Sequence, residues 1–262
     1  MASATEVAAL ERAGRLVLPG FRLRVLAATG STQDVARSAA RAGAEAGFSC
    51  VAGMQRAGRG RGDRAWSAPA GSALLCSVLL RISHRCLTGM PIAAGMAMRA
   101  AIATSCGYQS RLKWPNDLLA GDRKLAGVLC EVEPRAPGHD IAVVVGVGVN
   151  LRVPSFPPSI AGVSLHELVP DPPTALALFG VFLGELVPLL DTLQSDGIGG
   201  LRGQWMAHAA GLGEQVTARS GSGDVTGVAM GIDDDGALIL RTATGPVRVL
   251  AGDVHLGLAP LP

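Results

Sequence analysis

Two Val-rich apolar runs, LAGVLCEVE at 125–133 and DIAVVVGVGVNL at 140–151, commit this chain to a β-sheet. β-Branched side chains favour extended backbone, where they pack on a pleated surface. The segment between them, PRAPGHD, carries turn residues, so the runs read as antiparallel strands joined by a loop. Three earlier segments read as further strands: FRLRVLAATG (21–30), FSCVAGMQ (48–55) and SALLCSVLLRI (72–82).

Helical patterns alternate with these strands. Ser31 and Thr32 stand where an N-cap belongs, ahead of QDVARSAARAGAEAG. MPIAAGMAMRAAIATSCG (90–107) has helical length and residue types, with Gly107 as its stop. TALALFGVFLGELVPLLDTLQ (174–194) predicts an amphipathic helix kinked near Pro188, and GGLRGQWMAHA (199–209) a shorter one. RVPSFPPSIAGVSL (152–165) has three prolines and little periodicity, and reads as a loop over or beside a site.

At Gly211–Gly213 the pattern changes. EQVTARS, DVTGVAMGID, GALILRTA and PVRVLAGDVHL are short strand-like runs separated by GSG, DDDG and TG. Close spacing of this kind predicts a small all-β barrel. The division falls into a domain at 1–210 and a second at 211–262.

Apolar residues are 48% of the 262 and charged residues 17%, so the chain can bury a sizeable core and is not a disordered polymer. The net charge is only +2, against the strong basic excess of a dedicated nucleic-acid binder. The five cysteines, Cys50, Cys76, Cys86, Cys106 and Cys130, form no CxxC pair and have no clustered histidines, so metal-ligand spacing is absent. Their usage reads as a reducing, cytoplasmic setting. Glu6, Glu11 and Arg12 interrupt the apolar core a signal peptide would need, and the uncharged segments are broken by Pro and Gly. A soluble protein without membrane association is expected.

The positive charge is concentrated in MQRAGRGRGDRAW (54–66), where Arg56, Arg59, Arg61 and Arg64 stand against Asp63. Glycines permit close backbone approach, arginine forks suit carboxylate or phosphate, and Trp66 offers a flat apolar lid. Alone, this is as readily a solvated basic turn as an anion site. KWPND (113–117) brings Lys113, Asn116 and Asp117 to a Pro-fixed turn; these residues suit a phosphate and Mg²⁺, or an ordinary Asx-turn. Lys124 stands at the start of an apolar strand, where it either enters a cleft or is solvated. GVGVNL (146–151) imitates a dinucleotide fingerprint, but Leu151 replaces the third glycine and no helix follows. Asn150 is either a base-contacting amide or a strand-terminating residue. His84, His139, His166, His208 and His255 are scattered without a Ser–His–Asp order, and read as structural or solvated.

Taken in order, GSTQ, QRAGRGRGDRAW, LKWPNDLL, RKLAGVLCEV and VGVGVNL resemble the catalytic domain of the biotin protein ligases. The tail is similar to that family's SH3-like C-terminal domain. The resemblance covers about 25–165 through its motifs and is closest to the short class without an N-terminal DNA-binding domain. It implies an α+β fold: a mixed or antiparallel sheet with helices, of the class II synthetase-like biotin/lipoate ligase type, plus a small SH3-like β-barrel.

The resemblance further implies activation of biotin by MgATP to biotinyl-5′-AMP, then transfer to a lysine of a biotin carboxyl carrier domain of a biotin-dependent carboxylase. Biotin, ATP and Mg²⁺ are the implied small molecules. The partners implied include no DNA and no membrane, and the state is monomer or homodimer. By resemblance, Ser31, Thr32, Gln33, Gln55, Gly58, Arg59, Gly60, Arg61, Lys124 and Gly127 serve biotin. Arg59, Arg61, Arg64, Trp66, Lys113, Asn116 and Asn150 serve ATP and the adenylate. Arg61, Lys124, Lys113 and Asp117 are the implied catalytic groups, and Asn116 and Asp117 the Mg²⁺ ligands.

Two positions depart from the family pattern. Gln33 replaces the usual Asn after Ser-Thr, and Gly62–Asp63 follows Arg61 where a bulky or basic residue and then Gly are usual. The second departure predicts a leakier adenylate than in a Gly62→Arg, Asp63→Gly variant. A lipoate–protein ligase shares the chemistry but not the GRGRGDRAW, KWPND and barrel features. A non-enzymatic nucleic-acid binder would interleave aromatics with the arginines, yet aromatics are only 3% of the chain.

Overall fold

A computed structural model describes residues 3–133, 140–220, 223–250 and 252–256. The expected PRAPGHD loop falls largely outside these residues, as do His139 and most of the GSG turn. The main sheet comprises β1 (Arg22–Leu26), β2 (Phe48–Ala52), β3 (Ala73–Ile82), β4 (Arg111–Lys113), β5 (Asp117–Ala120), β6 (Arg123–Glu133) and β7 (Ile141–Asn150). Its seven strands run in the order β1-β2-β3-β7-β6-β5-β4. β1 and β2 are parallel and the remaining neighbours antiparallel, so the sheet is mixed. The helices are α1 (Ala4–Val17), α2 (Thr32–Arg41), α3 (Met90–Cys106) and α4 (Ala175–His208).

The period-2 alternation along β7 divides the layers. Val143, Val145, Val147 and Val149 enter one core with Ala93 and Ala97 of α3 and Phe179 and Phe182 of α4. Ala142 and Val144 face the other way and pack with Leu79 against Ala36 of α2. Beyond the end of α2 the same face of β7 carries Gly146, Gly148 and Asn150. In register, β6 sets Gly127 beside Gly148 and Leu129 beside Gly146, while β3 contributes Leu75 and Ser77. Two strands thus place glycine where the helical cover ends, and a depression opens there.

Two expectations need correction, and one helix had none. Helical geometry is broken at Gly197 (φ 65°, ψ −160°), not at Pro188. Pro188 and Gly184, four residues earlier, are both exposed, so the unpaired carbonyl faces solvent. Second, α4 is long and apolar enough by length and composition to cross a membrane. Its apolar residues, including Leu178, Phe182 and Leu186, are spent on the core with α3, which identifies a core helix of a soluble fold. The helix without an expectation is α1; Ser3 and Glu6 close a capping box at its start.

The tail forms five strands: β8 (Gln215–Ser220), β9 (Gly223–Ile232), β10 (Leu238–Thr242), β11 (Gly245–Val249) and β12 (Asp253–Leu256). PVRVLAGDVHL, read as one run, is two of them. Their order is β11-β10-β9-β8-β12, and among the described residues the edge strands do not pair with each other, so the ladder is an open antiparallel sheet. Val216, Ala229, Leu238 and Leu240 join the same core as the main sheet. Trp114 Nε1 donates to Gly236 O at 2.9 Å, pinning the tail to the turn between β4 and β5.

Candidate active site

The depression is a cavity of about 620 Å³. Its walls include Ser31, Thr32, Gln33, Gln55, Arg59, Gly60, Arg61, Arg64, Trp66, Asn116, Asp117, Lys124, Gly127 and Asn150, so nearly all the residues picked from sequence converge here. Gly58 and Lys113 stand just behind the wall. A Cβ at Gly58 would lie 2.3 Å from Trp66 O and 2.7 Å from Gln55 Nε2. None of the described histidines lines the cavity.

The first turn of α2 forms one end. Ser31 is the N-cap residue, but its side chain makes no capping bond, and its Oγ is buried without a partner. Gln55 Oε1 accepts from Thr32 N at 2.7 Å and from Thr32 Oγ1 at 2.9 Å. Gln33 Oε1 and Trp66 Nε1 are also buried without hydrogen-bond partners. Such atoms are unfavourable unless something fills the space they face.

The arginine stretch is an ordered hairpin rather than a solvated tract. Trp66 N donates to Gly58 O at 3.0 Å and Gly60 N to Arg64 O at 2.7 Å. Gly62 has φ 60°, a left-handed backbone that a side chain adopts only with strain. A Gly62→Arg change would therefore disturb the turn for conformational reasons alone. Trp66 returns over the sheet glycines: a Cβ at Gly148 would meet its ring at 2.4 Å, and one at Gly127 at 3.2 Å. The glycines of VGVGVN thus make room for Trp66 and, at Gly146, for the Gln33 side chain at 2.8 Å.

The charges are ordered by neighbouring elements. Lys124 Nζ lies 2.6 Å from Asp117 Oδ1 and 5.5 Å from the Trp66 ring centroid. Arg61 Nη1 donates to Gly252 O at 3.0 Å and stands 3.4 Å from Asn116 Oδ1, while Arg64 Nη2 meets Asp253 Oδ1 at 3.0 Å. Burial lowers the pKa of Lys113 below the ordinary lysine value, opposed by Asp117 and aided by Lys124. Burial likewise lowers that of Arg61, opposed by Asp253. Arg59 is clamped between Asp34 at 2.8 Å and Glu131 at 3.1 Å rather than turned to an open anion site. Asn150 Nδ2 donates to Lys124 O and Val163 O, both at 3.2 Å, tying the strand end to the Pro-rich loop. That loop, through Ser155, Phe156 and Ile160, closes one side of the cavity as expected.

Sequence reading missed Glu131, Asp34 and the tail contacts of Gly252 and Asp253. Glu131 had a signal: EVE on a strand opposite Arg37 and Arg41, one turn apart on a helix, is a charge pattern waiting for a partner. The cysteines act as small hydrophobes; burial pushes Cys50 and Cys130 up to about 11 and about 12.

The comparisons with known proteins agree with this site. Residues 25–150 match the Biotin/lipoate A/B protein ligase family, and residues 211–257 match the Biotin protein ligase C terminal domain. The chain is 37% identical over 221 residues to a biotin–[acetyl-CoA-carboxylase] ligase of Paracoccus denitrificans, covering 79% of this chain and 89% of that protein. It is 34% identical over 247 residues to that of Mycobacterium tuberculosis, covering 90% of each. Among solved structures, a biotin protein ligase from Aquifex aeolicus in complex with biotin and ATP aligns with a TM-score of 0.76 at 25% identity, covering 89% of this chain and 97% of that one. With this fold, this cavity and these relatives, the chain belongs to the biotin protein ligase family.

Proposed function

We infer that the chain is a biotin–[acetyl-CoA-carboxylase] ligase, which activates biotin with ATP and transfers it to a lysine of a biotin carboxyl carrier domain. The supporting observation is the order of groups along one strand. Gln33 lies over Gly146, Trp66 over Gly148, and Asn150 closes the far end. At about 3.3 Å per residue the row spans roughly 13 Å. It suits an elongated ligand with an uncharged polar head beside Ser31, Thr32 and Gln55, and an anionic end beside Arg61 and Lys124.

In the first step a biotin carboxylate oxygen attacks the α-phosphorus of ATP, and the bond to pyrophosphate breaks. Two anions must approach, and Arg61, Lys124 and Lys113 offset their repulsion and the charge that spreads in the transition state. Arg64, also a wall residue, adds to this field through the hairpin. Asn150 borders the adenine. Arg59, paired with Asp34 and Glu131, anchors the hairpin at the biotin head. The backbone of Gly58, Gly60 and Gly127 borders biotin, and Trp66 covers it.

Asn116 and Asp117 offer hard oxygen donors, which fit a Mg²⁺ carried by the nucleotide phosphates. Among the described residues no three His, Cys, Asp or Glu gather into a cage, so phosphates and water would complete its shell. Bound there, the ion supplies positive charge to the phosphates. In the second step the acceptor ε-amine attacks the acyl carbon, the bond to AMP breaks, and the amine loses a proton. Asp117 is the cavity carboxylate placed to orient that amine.

This reading takes residues 1–210 as the catalytic unit and 211–262 as the tail domain, working in the cytoplasm as a monomer or homodimer without DNA. Parallel incubations of a purified carrier domain with ATP, Mg²⁺ and either biotin or lipoate test it. Addition of one biotinyl group per carrier domain, seen by mass spectrometry, is expected. Modification with lipoate and not with biotin would overturn it.

A further inference from the structure

Gln33 is 4% exposed and lines the cavity over Gly146, and the two ends of its amide face different surroundings. Nε2 lies 2.9 Å from Glu131 Oε2, 3.3 Å from Leu129 O and 3.4 Å from Val144 O. All three are acceptors, so only the NH₂ end can satisfy them, its two hydrogens shared among three oxygens. Glu131 is itself fixed, because its carboxylate also takes Arg59 at 3.1 Å and Arg37 at 3.4 Å. Oε1 is thereby turned away and buried with no hydrogen-bond partner.

Gln55, on the same cavity, is set the opposite way. Its Oε1 is taken by Thr32, whose hydroxyl accepts in turn from Ser77 Oγ at 2.8 Å. Its Nε2 has no partner among the described residues. One amide therefore presents an acceptor and the other a donor. A cyclic urea shows the complementary pattern, with a carbonyl acceptor flanked by ring N–H donors.

We propose that Glu131 is a positioning residue that fixes Gln33 as a hydrogen-bond acceptor for one ring N–H of the ligand, and that this pair selects a cyclic urea over rings lacking that N–H. The inference rests on the biotin reading above. It also gives the buried, partnerless Oε1 of Gln33 a use of its own. A carboxylate can only accept, and Glu131 makes the shortest of the three contacts; a glutamine in its place would leave the amide held only by the two longer contacts to the Leu129 and Val144 carbonyls.

Calorimetric binding of biotin and of two carbamate analogues, each with one ring N–H replaced by oxygen, tests this. The unaltered protein should bind one analogue at least about tenfold more weakly than biotin, because a ring oxygen would face Gln33 Oε1. In Gln33→Met that ratio should fall close to one. In Glu131→Gln it should fall at least about threefold, while Asp34→Asn, which loosens Arg59 from its other partner, should leave it unchanged. The analogue comparison on the unaltered protein needs no variant, and equal affinity for all three ligands overturns the inference. So does a ratio that persists in Gln33→Met, or one that falls as far in Asp34→Asn as in Glu131→Gln. Failure of the unaltered protein to bind biotin at all overturns the underlying reading instead.

Discussion

Lys124 is held from two sides, by the Asp117 carboxylate and by the face of Trp66. In the proposed reaction this ammonium faces the biotin carboxylate and the α-phosphate. Lys124→Ala should remove roughly 3–4 kcal/mol of transition-state stabilisation, a loss of kcat/KM on the order of a hundred- to a thousand-fold. Single-turnover formation of biotinyl-AMP measures it, and a loss under tenfold would contradict the role. Lys113 gives a pH test. Burial lowers its pKa, so it loses its charge below the ordinary lysine range and kcat/KM for ATP should decline there as pH rises. Lys113→Arg keeps the charge and should remove that limb; a profile unchanged by the substitution contradicts it. The cationic groups of this site were legible only through the order of the five motifs, since each stretch alone read as readily as a solvated turn. Glu131 itself was not read, because its partners Gln33 and Arg59 lie far away in sequence and only the packing of α2 and the hairpin on β6 brings them together.

At the scale of elements, α2 is tied to β6 by charge, and to β3 and β7 by the packing of Ala36. Glu133, 4% exposed, receives Arg37 and Arg41. Burial pushes its carboxyl up, but the hydrogen bonds from Arg41 and Arg37 outweigh burial and leave its pKa below the usual value. A carboxyl depressed in the folded state binds fewer protons than in the unfolded chain, so its stabilisation is present above the unfolded pKa, near 4.5, and is lost as pH falls through the folded value. Glu133→Gln should therefore lower stability at neutral pH and flatten its acid limb, as read by urea unfolding across pH. An acid limb of unchanged slope would refute this. Most strands and helices were readable from periodicity and caps, though α1 and β5 were not. The break at Gly197 was not, since its positive φ depends on how the two halves of α4 meet the core, and Pro188 is the louder signal in the sequence.

Across the whole molecule, the tail sheet reaches back to the active site. Gly252 and Asp253 hold Arg61 and Arg64 of the hairpin, while Gly236 holds Trp114 of the turn that supplies Asn116 and Asp117. The spacing of turns announced a small β unit, but nothing in the sequence says which of its edges meets the hairpin. The Arg64–Asp253 pair is half exposed and worth about 1 kcal/mol or less. Asp253→Ala should accordingly speed biotinyl-AMP release by at most roughly fivefold, with the melting temperature little changed. A release rate equal to that of the unaltered protein would show that the contact does not restrain the hairpin.

All of these assignments depend on adenylate chemistry in the cavity beside α2. Isotope exchange between pyrophosphate and ATP reads that step directly, with no acceptor protein present. Exchange should depend on biotin and be lost on substituting Arg61 or Lys124. Exchange that proceeds equally without biotin, or none from the intact protein supplied with biotin, ATP and Mg²⁺, would contradict the account.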